Sequence, residues 1–318
     1  MAVSDLSLSV DSAIAREVFE GFTSQPKTLS PSWLYDDIGS ALFEAITLLP
    51  EYGLTRADAA LLERNAAEIV RAAGTPSLIG ELGSGTGSKT RHLLNAAAPA
   101  RYFPIDISPS ALQVCEGVLG ALEGIRITPV QASYLDGIQT AIADRRKNEP
   151  ILLLFLGSTI GNFNRSEAHS FLSDIRRTLQ PGDSLLVGAD LVKPKAKLLN
   201  AYDDEAGVTA AFNLNLLTRL NRELGATFKV RQFAHEARYN ERQSRIEMHL
   251  RSKIAQTVRI EALDLTISFA AGETIWTESS YKFESAGIRQ MGEEAGWSVA
   301  GQWLDHDWGF AETLFGLR

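Results

Sequence analysis

Cysteine is almost missing from this sequence, since Cys115 is the one thiol among 318 residues. A single cysteine excludes an intrachain disulfide and a cysteine-rich metal centre. The five histidines show no His-x-x-x-His or His-Glu-x-x-His spacing, and a G-x-S-x-G nucleophile motif is missing as well. These absences argue against a metalloenzyme and a serine hydrolase. We expect no metal ion, and we expect Cys115 to lie buried in a helix.

Long apolar runs and excess positive charge are missing too. No stretch approaches the roughly 18 apolar residues of a transmembrane helix, and no charged-then-apolar secretion signal is visible. The net charge is −8, so the chain lacks the basic surface that nucleic acid requires. We expect a cytoplasmic monomer whose partner is a small molecule, not a membrane or a nucleic acid.

The strongest positive signal is an apolar stretch that ends in an acid and a glycine-rich turn, Leu78-Ile79-Gly80-Glu81-Leu82-Gly83-Ser84-Gly85-Thr86-Gly87. Glycine permits positive φ and a close approach of the backbone to a ligand. A strand, turn and helix in this order can hold a nucleotide-like cofactor, although an incidental turn is the alternative. The spacing fits neither G-x-G-x-x-G nor a phosphate loop. It resembles motif I of class I S-adenosylmethionine (SAM) methyltransferases.

Helical and strand-like segments alternate between residues 56 and 190, which predicts an open α/β sheet whose ligands bind beyond the carboxyl ends of the strands. We expect helices at Arg56–Ala73, Lys89–Ala97, Pro109–Leu122 and Arg165–Leu179, and strands at Ser77–Leu82, Arg101–Ile107, Ile125–Val130, Ile151–Leu156 and Ser184–Ala189.

The pattern changes after Asp190. A long helical region, interrupted near Gly207, precedes antiparallel-type strands, one helix and a strand-like tail that could form the terminal hairpin of a class I methyltransferase. We therefore predict a class I SAM-methyltransferase (Rossmann-like) sheet from residues 56–192 and 282–318, with a second α+β substrate-binding domain from 1–55 and 193–281. The expected segments are Lys193–Leu224, Phe228–Phe233, Ala237–Tyr239, Arg245–Lys253, Ile260–Phe269, Ala286–Ala295 and Trp297–Leu317.

Three polar residues lie where this fold would place its ligands. Asp106 ends the second strand and could bind ribose hydroxyls; helix capping is the alternative, for which Ser108 is better suited. Lys89 could reach the cofactor carboxylate or lie solvated. Asn162 follows the fourth strand, where its amide could bind both a carboxylate and an amine, or serve only a turn.

Segments along nearly the whole chain resemble the EgtD family of SAM-dependent histidine Nα-methyltransferases of ergothioneine biosynthesis. Several lie outside the general SAM motif, which makes the resemblance specific. They are Leu29–Asp36, Phe43–Tyr52, Glu81–Thr86, Phe155–Asn162, Ala201–Asp204, Arg245–Met248 and Thr277–Phe283.

The resemblance implies roles for individual residues. Tyr52, Asn162 and Tyr202 would hold the polar groups of the amino acid, and Tyr35 and the Gly161 carbonyl would lie beside its α-amino group, which makes Tyr35, Gly161 and Asn162 the catalytic candidates. An imidazole would be recognised by Glu278 and Ser280, with Met248 lining the pocket. SAM would be bound by Glu81, Gly83, Ser84, Gly85, Lys89, Asp106, Ser133 and Tyr134.

Two points leave alternatives open. Ser133-Tyr134 stands where the family often has an acid before an aromatic residue, so either Ser133 or Asp136 would contact adenine. Taken singly, Glu278 could be a solvated strand residue, Tyr202 a core aromatic and Met248 a gap-filler.

The resemblance implies trimethylation of the α-amino group of L-histidine to hercynine, with S-adenosylhomocysteine (SAH) as the second product. One alternative is an N-methyltransferase for another aromatic amino acid or amine, such as a tryptophan derivative, against which Glu278 with Ser280 argues. The other is a SAM-binding module without catalytic activity.

Overall fold

The computed structural model describes residues 12–317. These residues form, in chain order, α1 (Ser12–Thr23), β1 (Lys27–Thr28), α2 (Asp37–Thr47), α3 (Leu54–Ala72), β2 (Leu78–Leu82), α4 (Arg91–Ala97), β3 (Ala100–Asp106), α5 (Pro109–Leu119), β4 (Ile125–Ile127), β5 (Val130–Gln131), α6 (Tyr134–Ala143), β6 (Ile151–Phe155), α7 (Arg165–Thr178), β7 (Ser184–Asp190), α8 (Lys195–Tyr202), α9 (Val208–Leu224), β8 (Phe233–Asn240), β9 (Arg245–Ser252), β10 (Gln256–Ile260), β11 (Leu265–Phe269), β12 (Thr274–Tyr281), α10 (Ser285–Glu294), β13 (Ser298–Asp305) and β14 (Phe310–Gly316).

The described residues divide into two compact units. The large unit comprises Tyr52–Lys197, Glu241–Arg245 and residues 280–317. The small unit comprises residues 12–51, Leu198–Asn240 and Ile246–Ser279. Both units are discontinuous in sequence, because the chain passes from one to the other repeatedly.

The large unit is built on a mostly parallel sheet. Within residues 12–317 its strand order is β13-β14-β7-β6-β2-β3-β4, with β5 also paired to β3. The strands from β2 to β7 pair in parallel, and β14 runs antiparallel to both β7 and β13. The predicted class I SAM-methyltransferase sheet with a terminal hairpin is therefore confirmed as the fold.

Helices cover both faces of this sheet, which explains why its central strands are apolar without alternation. Leu153 and Phe155 of β6 belong to one buried cluster, and Leu152 and Leu154 of the same strand belong to another. Because successive side chains point to opposite faces, the two clusters are the two covered faces of the sheet. Cys115 is buried on α5, as predicted.

The small unit contains a four-stranded sheet and a separate hairpin. The sheet order is β1-β12-β9-β8, with β1 parallel to β12, and β10 pairs with β11 antiparallel. Helix α9 packs against α2 and β8 and buries Leu216, Leu217 and Leu220. Gly207, at φ 76°, begins α9 after the predicted interruption.

Three predicted strands were wrong in detail. Residues 228–233 contain a 3₁₀ turn (Val230–Gln232) before β8 begins. The segment Ile260–Phe269 belongs to β10 and β11, which a turn separates where Asp264 has φ 45°. Ile125–Val130 is divided between β4 and β5, because Pro129 between them has no N–H for the ladder. The prediction also missed α6 and β12 as elements.

No helix within residues 12–317 combines the length and the apolar character needed to cross a bilayer.

Candidate functional site

The glycine turn after β2 folds over the end of β3 in the large unit. Gly83 has φ 70° and Gly85 has φ 51°, and the amides of Gly83 and Ser84 donate to the Ile105 carbonyl at 2.8 and 3.3 Å. Within residues 12–317, a Cβ atom at Gly85 would meet nothing within 4 Å apart from its chain neighbours. The turn therefore presents open backbone that a ligand can approach, which fits the predicted cofactor.

Asp106 lies beside this turn at the carboxyl end of β3. Its carboxylate accepts hydrogen bonds from the amides of Gly85 at 3.2 Å and Ser108 at 2.9 Å. Helix α5 is capped by Ser108, whose Oγ accepts from the Ala111 amide at 3.2 Å, so the predicted cap is confirmed. Each carboxylate oxygen has a second lone pair, so half-buried Asp106 fits ribose hydroxyls as well.

Glu81, at the end of β2, turns its carboxylate into the protein. Thr90 Oγ1 donates to its two oxygens at 2.9 and 2.8 Å, and the Tyr102 hydroxyl donates to Oε2. Burial raises the pKa of Glu81 to about 7, against the opposing effect of these donors. Its described hydrogen bonds link the end of β2 to Thr90 and Tyr102. Its contact with the cofactor stays a prediction.

Lys89 follows the turn and is held by a buried acid of α3. Its Nζ lies 2.7 Å from Asp58 Oδ2, which also accepts from the Gly157 amide at 2.9 Å. Burial opposes the charge, but Asp58 outweighs it and raises the pKa of Lys89. The solvated alternative for Lys89 is therefore wrong. A fixed ammonium at the end of β6 fits an anionic group of the cofactor.

Glu312, an acid that the sequence prediction missed, lies buried on β14 and faces Gly188 of β7. A Cβ atom at Gly188 would lie 2.8 Å from Glu312 Oε1 and 3.3 Å from the Gly157 amide nitrogen, so only glycine leaves this space. Burial, reinforced by the charge of Asp58, raises the pKa of Glu312 well above its usual range. Both effects favour the protonated form of Glu312. The sequence feature that could have identified Glu312 is an acidic residue inside the largely apolar segment Phe310–Gly316.

Ser133 and Tyr134 begin α6. Ser133 Oγ caps this helix by accepting from the Asp136 amide at 3.4 Å, and it donates to Asp136 Oδ2 at 2.6 Å. The two alternative adenine contacts thus belong to one hydrogen-bonded pair. A Cβ atom at Gly83 would lie 3.2 Å from the Tyr134 hydroxyl, so Tyr134 packs against the glycine turn.

Gly161 and Asn162 lie on a 3₁₀ turn (Thr159–Asn162) after β6 in the large unit. A Cβ atom at Gly161 would lie 2.8 Å from the Tyr281 carbonyl oxygen, so this turn packs directly on the end of β12. Ser280, the preceding residue on β12, is buried, as is Tyr52. The structure therefore brings the Gly161–Asn162 turn beside the strand end that carries Ser280.

The remaining predicted substrate residues lie in the small unit. Tyr35 makes edge contacts with Phe43 and Phe212, with ring centroids 5.7 and 5.6 Å apart. Met248 and Glu278 are buried on the neighbouring strands β9 and β12; the solvated alternative for Glu278 is therefore wrong. Tyr202, at the end of α8, is buried too, and its carbonyl contacts His235 Nε2 at 2.8 Å.

A metal site in this chain would be built from its acids, histidines and Cys115. Within the described part of the chain, no three of these side chains come together in a way that could hold an ion.

Comparison with known proteins gives the family. A model of the family described as "Histidine-specific methyltransferase, SAM-dependent" matches residues 14–316. The histidine N-alpha-methyltransferase of Mycolicibacterium smegmatis is 45% identical over 311 residues, covering 96% of this chain and 95% of that protein. The Mycobacterium tuberculosis protein of the same name is 42% identical over 307 residues, covering 95% and 94%.

A third relative is longer. The "Ergothioneine biosynthesis protein 1" of Neurospora crassa is 34% identical over 206 residues, which are 64% of this chain and 24% of that protein. With the family match spanning nearly all described residues and two relatives aligned almost end to end, this chain belongs to the SAM-dependent, histidine-specific methyltransferase family.

Proposed function

We propose that this chain transfers three methyl groups in succession from SAM to the α-amino nitrogen of L-histidine, giving hercynine and SAH within ergothioneine biosynthesis. The observation that carries the proposal is the near end-to-end similarity to two histidine N-alpha-methyltransferases. The similarity to an ergothioneine biosynthesis protein supports the wider role.

The large unit is the proposed SAM-binding part. The open backbone at Gly85 leaves room for the cofactor to approach. The lone pairs of Asp106 would accept hydrogen bonds from its ribose hydroxyls, and the Lys89 ammonium group would pair with its carboxylate. When bound, SAM supplies a methyl group on a sulfonium, which is already a strong electrophile. The contribution of the protein is then chiefly orientation and proximity.

Six residues are proposed to recognise histidine. Glu278 would accept from an imidazole N–H, Ser280 would bind the other ring nitrogen, and Met248 would line the ring. Tyr52, Asn162 and Tyr202 would hold the α-carboxylate and amine. An indole cannot satisfy both Glu278 and Ser280, and a buried polar group left unpaired costs about 1–3 kcal/mol.

The α-amine must be neutral to accept a methyl group, whereas its reference pKa of about 8 leaves it mostly protonated near pH 7. We propose that the proton leaves to water, or through Tyr35 or the Gly161 carbonyl, which would lie beside the amine. The aromatic ring of Tyr35 would also favour the methylated, cationic product through a cation–π contact. The cytoplasmic location and the monomeric state stay predictions from the sequence.

Mass analysis of the products tests this function. With SAM and histidine, we expect mono-, di- and trimethylated histidine to appear in succession, and with tryptophan under the same conditions no methylated product. An enzyme that stops after one methyl group would contradict trimethylation. Preferential methylation of tryptophan would contradict the substrate.

A further inference from the structure

Lys282 is a fully buried cation immediately after β12, and the two described contacts of its ammonium group lie within the large unit. Its Nζ donates to Ser280 Oγ at 2.8 Å and lies 2.9 Å from Asp190 Oδ2. The side chain of Lys282 is 0% exposed and that of Asp190 is 1% exposed. Such a buried charge is costly unless it is paired, and Asp190 supplies a negative charge at 2.9 Å.

The contact with Ser280 has a fixed direction. An ammonium group has three donors and no acceptor, whereas a serine hydroxyl has one hydrogen and two lone pairs. Ser280 must therefore accept from Lys282, and its single hydroxyl hydrogen is directed to an acceptor elsewhere. Lys282 thus makes Ser280 a hydrogen-bond donor.

Asp190 stands between two lysines. Lys193 pairs with Asp190 Oδ1, to which the Trp308 indole N–H also donates at 3.0 Å. Burial opposes charge on Asp190, but Lys282 and Lys193 outweigh it and lower its pKa. One carboxylate between two ammonium groups leaves a net positive charge behind Ser280.

Three further cations of the large unit lie beside Lys282, Tyr281 and Trp308. Arg165 of α7 donates to the Lys282 carbonyl at 3.1 Å and lies 4.4 Å from the centre of the Phe283 ring. Arg245, at the start of β9, donates to the Tyr281 hydroxyl. Lys197 of α8 lies over the Trp308 ring at 4.5 Å. Asp190 is the counter-charge that these described contacts provide.

We propose that Lys282 is a positioning and specificity residue, which fixes Ser280 as a donor, so that a substrate imidazole binds neutral with its unprotonated nitrogen at Ser280. This inference rests on the proposed function, because it takes histidine as the ligand of Ser280. The second ring nitrogen then carries the hydrogen that Glu278, two residues earlier on the same strand, would accept. An indole has an N–H donor and no ring acceptor, so Lys282 also contributes to the rejection of tryptophan.

Calorimetric titration of histidine into the SAH-saturated protein tests the inference. Below the histidine ring pKa of about 6.5, the wild-type affinity should fall about tenfold per pH unit, because the ring must lose a proton to bind. The affinity for 1,2,4-triazol-3-ylalanine, whose ring stays neutral there, should change little. Lys282→Met should flatten the histidine dependence, because Ser280 can then rotate and accept from an imidazolium.

Lys193→Met is the matched control, since Lys193 has the same charge and also pairs with Asp190, while its other described contact is the ring of Trp308. It should keep the wild-type pH dependence of histidine affinity. A Lys282→Met protein with the wild-type slope would overturn the inference. So would equal flattening in both variants, because the contact with Ser280 would then not be the cause.

A measurement on the wild type covers the case in which Lys282→Met fails to fold, as shown by loss of SAH binding. The ¹⁵N spectrum of ring-labelled histidine bound with SAH at about pH 6 should show one protonated and one unprotonated nitrogen. Two protonated nitrogens would overturn the role of Lys282 and leave the proposed function standing. Failure of histidine to bind at all would contradict the proposed function itself.

Discussion

Buried carboxyl groups of the large unit differ in the direction of their pKa shifts, because the balance between burial and neighbouring cations differs. Asp190 lies between Lys193 and Lys282, and its pKa is lowered despite burial. Glu81 and Glu312 are also buried, but burial dominates there and raises the pKa of each. A neighbouring cation and desolvation act in opposite directions on an acid, so a buried carboxyl group favours the charged form in one place and the protonated form in another according to its neighbours.

Glu81 gives a prediction about stability and pH. Its pKa is raised from 4.5 to about 7 on folding, so its contribution is fully present below pH 4.5 and is lost as pH rises through about 7. The free energy of unfolding of the wild type, minus that of Glu81→Gln, should therefore fall across this window by on the order of 3 kcal/mol. Urea titrations at several pH values measure it.

The control for this experiment is Glu116→Gln, which removes a carboxylate from the exposed face of α5. It separates a general effect of net charge from the effect of the buried site. A difference curve for Glu81→Gln that rises with pH, or that matches the Glu116→Gln curve, would contradict the assignment.

Asp58 and Glu312 give a second prediction, because Asp58 pairs with Lys89 whereas burial raises the pKa of Glu312. Glu312→Gln places a neutral side chain of similar size there and should change the free energy of unfolding by less than about 1.5 kcal/mol. Asp58→Asn removes the partner of Lys89 and should cost about 3–5 kcal/mol, as breaking a buried pair does. Urea titrations of both variants measure this, and equal losses would show that Glu312 is ionised.

Sequence analysis could propose a site residue where the residue and the strand that positions it lie in the same short segment. Asp106 and the glycine turn lie at the ends of apolar strands, and a position after a strand already indicates the ligand edge of a sheet. Asp58 was missed because its partners are remote: Lys89 is 31 positions away and Gly157 is 99. Lys282 lies within the segment Thr277–Phe283 that resembles the family, but its partner Asp190 is identified only by the fold.

At the scale of elements, substitution of two glycines by alanine should have opposite effects. A Cβ atom at Gly161 would lie 2.8 Å from the Tyr281 carbonyl oxygen, whereas at Gly117 on α5 it would meet nothing within 4 Å among the described residues. Gly161→Ala must push the turn away from β12, so kcat/KM for histidine should fall on the order of 100-fold. Gly117→Ala should raise the free energy of unfolding by about 1 kcal/mol and leave kcat/KM unchanged.

Steady-state kinetics and urea titration measure both effects. Full activity of Gly161→Ala would show that the contact between the turn and β12 does not matter for the reaction.

Elements with continuous apolar character were predicted well, whereas β12 was missed. The strands β2, β6 and β7 are buried on both faces and contain few polar residues. Strand β12 instead buries Thr277, Glu278 and Ser280, so its hydrophobic alternation is weak and its polar residues look like a loop. The polar side chains of Thr277 and Ser280 make buried hydrogen bonds, and periodicity alone does not reveal such a strand.

At the scale of the whole molecule, cofactor and substrate should stabilise the protein separately. SAH at about 100 times its Kd should raise the free energy of unfolding by about 2.7 kcal/mol. Glu278→Ala should keep this increment but weaken histidine binding about 10- to 100-fold, because a hydrogen bond to a charged group contributes about 1.5–3 kcal/mol. Urea titrations with each ligand and calorimetry measure the two effects.

Glu236→Ala is the control, because it removes a partly exposed carboxylate that pairs with Arg238 in the same small unit. It should leave both ligand effects within about twofold. If Glu278→Ala lost the increment from SAH, Glu278 would have a structural role instead of the proposed role in recognition.

Cys115 is buried and is the one cysteine of the sequence, which has a practical consequence. Burial raises the pKa of this thiol to about 12, and thiolate is the form that alkylating reagents attack. In the native protein an alkylating label should react with it only when α5 detaches from the sheet, so the labelling rate would record that opening event. Since the sequence has no second cysteine, the signal needs no engineered probe and no correction for background modification.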